Sequence, residues 1–430
     1  MTVPLKIAVA GLGTVGIATL KLIAANRDLI TRRSGRPLIV TAVSARDPRR
    51  DRGVPLDGIL WYDDPVHMAH AADADVVVEL IGGAGDPARA VCETAIACRR
   101  HVVTANKALL AHHGTALARA AEAAGVALAL EGAVGGGIPI IKALREGLAA
   151  SRLDRIHGIL NGTCNYILTT MRETGRDFAD VLREAQALGY AEADPSFDID
   201  GIDTAHKLAL LTSLAFGVEV DVASVYVEGI RHISAVDISY ANELGYRIKL
   251  LGIARRTEYG VEQRVHPAMV PRTAAIAPVD GVFNAVVAEG DGVGRSVYEG
   301  RGAGGEPTAS AVVADLIDIA ANRSVPTFGV PASTLARSRP TVMSQHRGAF
   351  YVRLMVVDRP GVFADVAAAL RDEQVSMESV LQRSRNPGEI VPVVMTLHDT
   401  EEQAMLQALQ RIGQLDTVVE SPRLIRIENL

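Results

Sequence analysis

Over the first third of the chain, short apolar runs alternate with longer alanine-rich stretches. Leu5 to Ala10 is mostly apolar and ends at Gly11. A run of this length bounded by glycine predicts a buried parallel strand. A helical pattern follows from about Thr14 to Asn26. Further strands are predicted at Leu38–Val43, Val76–Ile81, His101–Thr104 and Ala127–Glu131, with helical stretches near 87–98 and 114–124. Strands alternating with helices argue an α/β fold, a doubly wound parallel sheet filling residues 1–132.

The pattern changes from about Gly135. Ile138–Ala150 reads as helix, Arg155–Leu160 as strand, and 163–174, 177–188 and 201–216 as helices. Apolar runs at 249–254, 262–270 and 282–288 complete an α+β unit, assigned to 133–304. A helix near 305–321 is expected to return to the first domain. Residues 324–347 are weakly patterned and read as a linker. Residues 348–430 then follow the order βαββαβ, which is ferredoxin-like.

Composition bounds this picture. A chain of 430 residues suggests about three domains at roughly 150 residues each. Hydrophobic residues at 48% and charged residues at 22% exclude a disordered or fibrous chain. A net charge of −6 offers no positive field for nucleic acid or an anionic membrane. The cysteines Cys92, Cys98 and Cys164 are odd in number and show no metal-ligand spacing. They read as reduced core residues of a cytoplasmic protein. No signal peptide or membrane-spanning run is expected. Aromatics are only 4%, whereas glycines number 39, so the glycines need an explanation in turns or close ligand approach.

The first chemical constellation is Gly11-Leu12-Gly13-Thr14-Val15-Gly16, directly after a strand and opening a helix. In that context GxGxxG predicts a dinucleotide site, with the pyrophosphate at the helix N-terminus. At the end of the second strand, Arg46 would favour a 2′-phosphate and Asp47 a 2′-hydroxyl. Arg49, Arg50 and Arg52 behind Arg46 lean toward NADP, and NAD stays open. A merely solvated charged loop is the bland alternative.

The second constellation has five carboxylates within residues 192–203, followed by Lys207. Asp203 and Lys207 share one helix face, in a stretch whose continuation is apolar. Such a pair is either an ordinary i,i+4 ion pair or an acid–base centre with carboxylates left for a substrate ammonium. Lys107 follows a strand end, where doubly wound folds bind ligands; otherwise it is a surface lysine at a helix start. Glu131 precedes Gly132-Ala133-Val134-Gly135-Gly136-Gly137-Ile138, a hinge or a carbonyl-rich cation turn.

Taken together, GLGTVG at 11–16, TANKALLA at 104–111, EGAVGGGIPI at 131–140 and NGTCNYIL at 161–168 resemble homoserine dehydrogenases. So do GYAEADPSFDIDGIDTAHK at 189–207 and GRGAGGEPTASAV at 300–312, and the resemblance covers essentially the whole chain. The C-terminal unit, with Asp358-Arg359-Pro360-Gly361 in its first strand–helix loop, looks like an ACT domain. The resemblance implies NAD(P)-dependent, reversible conversion of L-aspartate 4-semialdehyde to L-homoserine in threonine, methionine and isoleucine biosynthesis. It implies Lys207 as general acid/base and Lys107 as a second functional lysine touching cofactor and substrate. Glu192, Asp198 and Asp203 match substrate carboxylates. Gly189 and Gly304 match glycines beside the nicotinamide. Glu131 with the carbonyls of Val134, Gly136 and Ile138 matches a sodium site. His206 is given no role. The ACT domain implies an amino-acid effector, threonine, and the middle domain a homodimer or homotetramer. Removing residues after about 345 is then expected to leave activity and abolish threonine inhibition. The competing readings are a related amino-acid aldehyde or imine reductase and a catalytically inactive NAD(P)- and amino-acid-binding regulator.

Overall fold

The computed structural model describes residues 2–383 and 387–430. The first unit contains β1 (Leu5–Ala10), α1 (Thr14–Ala25), α2 (Arg27–Ser34), β2 (Leu38–Ser44), β3 (Leu60–Tyr62) and α3 (Pro65–Ala71). It continues with β4 (Val76–Glu79), α4 (Ala88–Ala97), β5 (His101–Thr104), α5 (Lys107–Ala124) and β6 (Leu128–Ala129). All pairings in this sheet are parallel, in the order β3-β2-β1-β4-β5-β6. The order reverses between β1 and β4, where doubly wound folds open their ligand crevice. Every residue of β4 is buried, because helices cover both faces of such a sheet. The helix predicted at 114–124 starts earlier, at Lys107, because the Asn106 side chain accepts the Leu109 amide and caps it.

The middle unit contains α6 (Ile140–Lys142), β7 (Leu153–Ile159), α7 (Gly162–Thr174), α8 (Phe178–Ala187), α9 (Ser196–Ile199) and α10 (Ile202–Phe216). Next come β8 (Tyr226–Val227), α11 (Ala235–Glu243), β9 (Tyr246–Thr257), β10 (Gly260–Pro271), β11 (Phe283–Gly290) and β12 (Gly294–Arg301). Nearly all of α10 is buried, which makes it the central helix of this unit. The regular helix expected over Ile138–Ala150 is not formed. Pro139 precedes the short α6, and residues Ala143–Gly147 widen into a π turn in which Leu148 N–H reaches back to Ala143 O. The α12 helix (Gly305–Ala320) returns to the first unit and packs Val312, Leu316 and Ile319 into the same core as Leu5, Ile7 and Val9.

Residues 324–347 differ from the expected linker. Thr327, Phe328, Ala332 and Leu335 are buried, and Glu122 accepts the Ala332 amide. The segment is a packed strap, because its apolar side chains have a surface to cover.

The last unit contains β13 (Arg347–Val357), α13 (Val362–Asp372), β14 (Met377–Leu381), β15 (Ile390–Glu401), α14 (Glu402–Ile412) and β16 (Arg423–Ile427). Its strand order, β16-β13-β15-β14, is that of the predicted ferredoxin-like motif. β16 also pairs parallel with β10, so the middle and C-terminal sheets are continuous. Buried charges cross this seam. Arg264 of β10 bonds Glu428 at 2.8 Å, and Arg353 of β13 bonds Asp237 of α11 at 2.7 Å. Truncation near 345 would strip these partners from buried Arg264 and Asp237 and leave those charges unpaired. Asp237→Ala is predicted to destabilise the chain by about 3–5 kcal/mol, since it leaves buried Arg353 and the Tyr351 hydroxyl without their acceptor. Urea unfolding monitored by circular dichroism checks this.

Candidate active site

The crevice above β1 and β4 is shaped by missing side chains. Gly11 turns with φ +103°, and a Cβ there would lie 2.5 Å from the Leu80 carbonyl oxygen. A Cβ at Gly16 would lie 2.1 Å from the Gly11 carbonyl oxygen, so the helix could not approach the turn. Gly13 faces open space and caps α1 with no side chain, leaving the helix start at Thr14 and Val15 open to an anion. A second helix start lies alongside: Gly304, at φ +119°, caps α12, and a Cβ on Gly305 would touch Thr14 at 3.0 Å. The cleft of about 410 Å³ is lined by Gly11, Gly13, Arg46, Arg50, Leu80 and Pro87, among others. This shape fits a dinucleotide.

At its rim, Asp47 is turned into its own loop, where its carboxylate accepts the Arg49 amide at 2.9 Å. Arg52 is buried, donates to the Asp47 and Arg50 carbonyls and lies 5.2 Å from the Trp61 ring. Arg46 and Arg50 remain exposed on the cleft.

Lys207, Asp203 and Lys107 converge from two units. Lys207 and Asp203, one turn apart on α10, bond at 2.6 Å, and Lys207 also donates to the Leu160 carbonyl at 2.7 Å. Lys107, the first residue of α5, lies 3.1 Å from the other oxygen of Asp203. One carboxylate therefore bridges two ammonium groups. Burial works against its ionisation. The charges of Lys207 and Lys107, with hydrogen bonds from Lys207 and Asn161, outweigh that and hold the carboxyl well below the usual range. The Lys107 side chain is 36% exposed and the Asp203 side chain 4%, so Lys107 is the accessible end of this triad.

Asp198 sits beside it. Its two oxygens accept from Asn161 Nδ2 at 2.8 Å and Thr163 Oγ1 at 3.1 Å. Burial and the Asp203 charge push its carboxyl up, partly offset by these hydrogen bonds. Glu192 lies exposed on the loop after α8, its backbone carbonyl held by Gln186 Nε2 at 3.0 Å. Gly189, in the same loop, is exposed with φ +75° and open space where a side chain would stand. His206 is packed against the rings of His112 and Phe197.

Three contributors were missed from the sequence. Leu160 O, Asn161 and Thr163 all belong to the β7–α7 turn. The signal was present, because Asn-Gly-Thr after an apolar run is a helix cap and offers polar side chains at a strand end. Glu79 was missed as well. This buried carboxylate ends β4 and gathers the Thr104 hydroxyl at 2.6 Å and the Ile81 amide at 2.7 Å. Burial raises its pKa against those hydrogen bonds. The Asn106 side-chain amide bonds the Gly83 carbonyl at 2.8 Å, so the loops after β4 and β5 are tied beside Lys107.

The turn at 131–138 is rigid rather than a loose hinge. Both Glu131 oxygens accept α6 amides, Ile141 at 3.1 Å and Lys142 at 2.9 Å. Burial and the nearby Asp315 raise the Glu131 carboxyl to about 7. A Cβ on Gly136 would lie 2.7 Å from the Gly302 carbonyl oxygen, and Gly137 N–H bonds Arg301 O at 2.9 Å. The glycine clusters at 131–138 and 300–305 are thus packed on each other. Among the described residues, no three His, Cys, Asp or Glu side chains are arranged to hold a metal. A cation here would rest chiefly on main-chain carbonyls.

The chain is similar to known proteins along its whole length. Residues 11–131 match the family model for the homoserine dehydrogenase NAD-binding domain, and residues 139–317 that for homoserine dehydrogenase. Residues 350–414 match the ACT domain. The chain is 46% identical to homoserine dehydrogenase of Pseudomonas aeruginosa and 44% to that of Neisseria gonorrhoeae, covering 99% of each chain in both cases. A crystal structure of the Thiobacillus denitrificans homoserine dehydrogenase superposes with a TM-score of 0.93 at 46% identity, over 99% of both chains. A hyperthermophilic archaeal homoserine dehydrogenase in complex with NADPH superposes at 0.63 and 25% identity, over 76% of this chain and all of that one. Among the described residues, no helix is long and apolar enough to cross a membrane. With a dinucleotide crevice beside a carboxylate shared by two lysines and these full-length relatives, the chain belongs to the homoserine dehydrogenase family of oxidoreductases acting on CH–OH groups.

Proposed function

We propose that the chain interconverts L-aspartate 4-semialdehyde and L-homoserine, with Lys207 as general acid and base. The carrying observation is the commitment of Lys207. Two of its three N–H donors are fixed by Leu160 O and Asp203, so the ammonium has a set position in a buried site. As negative charge grows on the substrate carbonyl oxygen, a fixed ammonium stabilises it and then donates its proton. In homoserine oxidation the same nitrogen takes the hydroxyl proton. Glu192, Asp198 and Asp203 form the acidic wall for the substrate ammonium. Asp203, with its oxygens already on lysines, adds charge and orients Lys207. Lys107 bridges toward the cofactor side, with Gly189 and Gly304 leaving room for the nicotinamide. The bound nicotinamide cofactor accepts or supplies the hydride.

NADP is favoured over NAD, because Arg46 and Arg50 line the cleft with Asp47, and one Asp47 oxygen already accepts the Arg49 amide. A hard monovalent cation such as sodium at this turn would rest on the carbonyls of Val134, Gly136 and Ile138 beside Glu131, whose two oxygens also hold the α6 amides, and would offset the crowding of Glu131 and Asp315.

We also propose threonine as a feedback effector acting through the seam. Arg426 of β16 bonds Glu228 at 2.7 Å. The next residue, Gly229, lies so close to the substrate loop that a Cβ would meet the Ile199 carbonyl oxygen at 2.2 Å. Ile230 N–H bonds that same oxygen at 2.9 Å. A shift of β16 therefore presses on the segment between Asp198 and Asp203.

Steady-state homoserine oxidation with NAD and NADP side by side is expected to show turnover with both and a lower KM for NADP. Lys207→Ala should lower kcat by at least about 10³-fold, with cofactor affinity by fluorescence titration nearly unchanged. Full activity in that variant would sink the assignment. Arg46→Ala should raise KM for NADP roughly tenfold and leave that for NAD within about twofold, a loss of one phosphate contact. Glu228→Gln should keep kcat within about twofold and raise the threonine concentration for half-inhibition at least tenfold, the usual scale of a coupling free energy. Unchanged inhibition would place the coupling elsewhere.

A further inference from the structure

We propose that Asn161 is a positioning residue that clamps Asp198 to Asp203 and so sets the pocket that receives the substrate's ammonium group. This deepens the reading above and rests on it. A single atom, Nδ2, donates to Asp198 Oδ1 at 2.8 Å and to Asp203 Oδ2 at 2.9 Å. Two buried carboxylates so close repel each other, and the cheapest relief is for one to take a proton or swing away. A neutral donor between them removes that drive, because each carboxylate receives a hydrogen. Asp198 can then stay charged and fixed while Asp203 serves the lysines.

The orientation of the Asn161 amide follows from its surroundings. Its other end, Oδ1, accepts the Cys164 amide at 2.8 Å and caps α7. An amide N–H needs an acceptor and two carboxylates need a donor, so the flipped amide would fail at all three contacts. Asn161 is buried, which makes the clamp costly to replace by water. The titratable groups around Asp198 are Asp203 and Lys207 on α10, with Lys107 of α5 beyond Asp203, and the Cys164 thiol on α7, whose Sγ lies 3.2 Å from the Asp198 carbonyl. Thr163 holds the second Asp198 oxygen and also bonds the Tyr190 carbonyl at 2.8 Å. Without Asn161, Thr163 alone among the described residues would hold the carboxylate by a hydrogen bond.

The capping and clamping roles can be separated. Asn161→Asp keeps the shape and the cap, since a carboxylate oxygen also accepts the Cys164 amide, but it deletes the donor and adds a third negative charge. Asn161→Ser keeps a cap without the charge. Asn161→Ser is expected to melt within a few degrees of the parent and Asn161→Asp lower, because it buries a third carboxylate, and both are expected to fold and to bind NADPH as the parent does. KM for homoserine should rise at least tenfold in both. The acidic limb of the kcat/KM profile should move up by at least about one pH unit in Asn161→Asp and by less in Asn161→Ser. A merely structural asparagine would lower kcat and thermal stability together and leave both KM and the acidic limb in place. That result, or parent-like KM in both variants, overturns the proposal. If the parent itself fails to oxidise homoserine, the activity reading fails separately. Calorimetric binding of homoserine to the NADP complex still reads Asn161: a Kd at least tenfold weaker in both variants supports the clamp, and an unchanged Kd overturns it.

Discussion

The Asp203 carboxylate, shared between Lys207 and Lys107, is the interaction on which the rest depends. Lys207 and Asp203 stand on the central helix of the middle unit, whereas Lys107 opens a helix of the nucleotide-binding unit. A buried carboxylate left without partners would protonate or draw in water. With two ammonium groups against it, it stays ionised and holds the two units in register. The same contact thus fixes Lys207 relative to the cofactor crevice, the alignment that the proposed acid–base role of Lys207 needs.

Around that triad the site is built mostly from backbone. The dinucleotide turn, the 131–138 turn and the 300–305 turn each come close enough to a neighbouring chain segment that a single Cβ would separate them. This packing brings two helix starts, at Thr14 and Gly305, to one place. Two helix N-termini side by side give a positive, amide-lined wall without using lysine or arginine.

The C-terminal unit shares a sheet with the middle unit. Arg264–Glu428, Arg353–Asp237 and Arg426–Glu228 all cross the seam. Buried pairs of this kind contribute little net stability against an apolar alternative, yet breaking one is costly. They therefore specify one arrangement of the two units, and the segment after Glu228 packs on Ile199, next to Asp198.

The sequence by itself determined the local features. Apolar periodicity placed most strands and helices, including the βαββαβ order at the C-terminus, because strand and helix periods are set by neighbouring residues. GxGxxG after a strand, and Asp203 and Lys207 at i,i+4, were legible for the same reason. The capping Asn106, which extends α5 to Lys107, and the π turn after Pro139 blurred the boundaries, since side-chain caps and main-chain widening leave no periodic mark. Only the tertiary structure decided which residues act together. Lys107 is 96 residues before Asp203, and Asn161 is 42 before it. Arg264 meets Glu428 across 164 residues. The strap at 324–347 likewise reads as a linker until the surface it covers is present. Such contacts depend on how the sheets pack and join, and a one-dimensional pattern carries no information on which distant charge will neutralise a buried one.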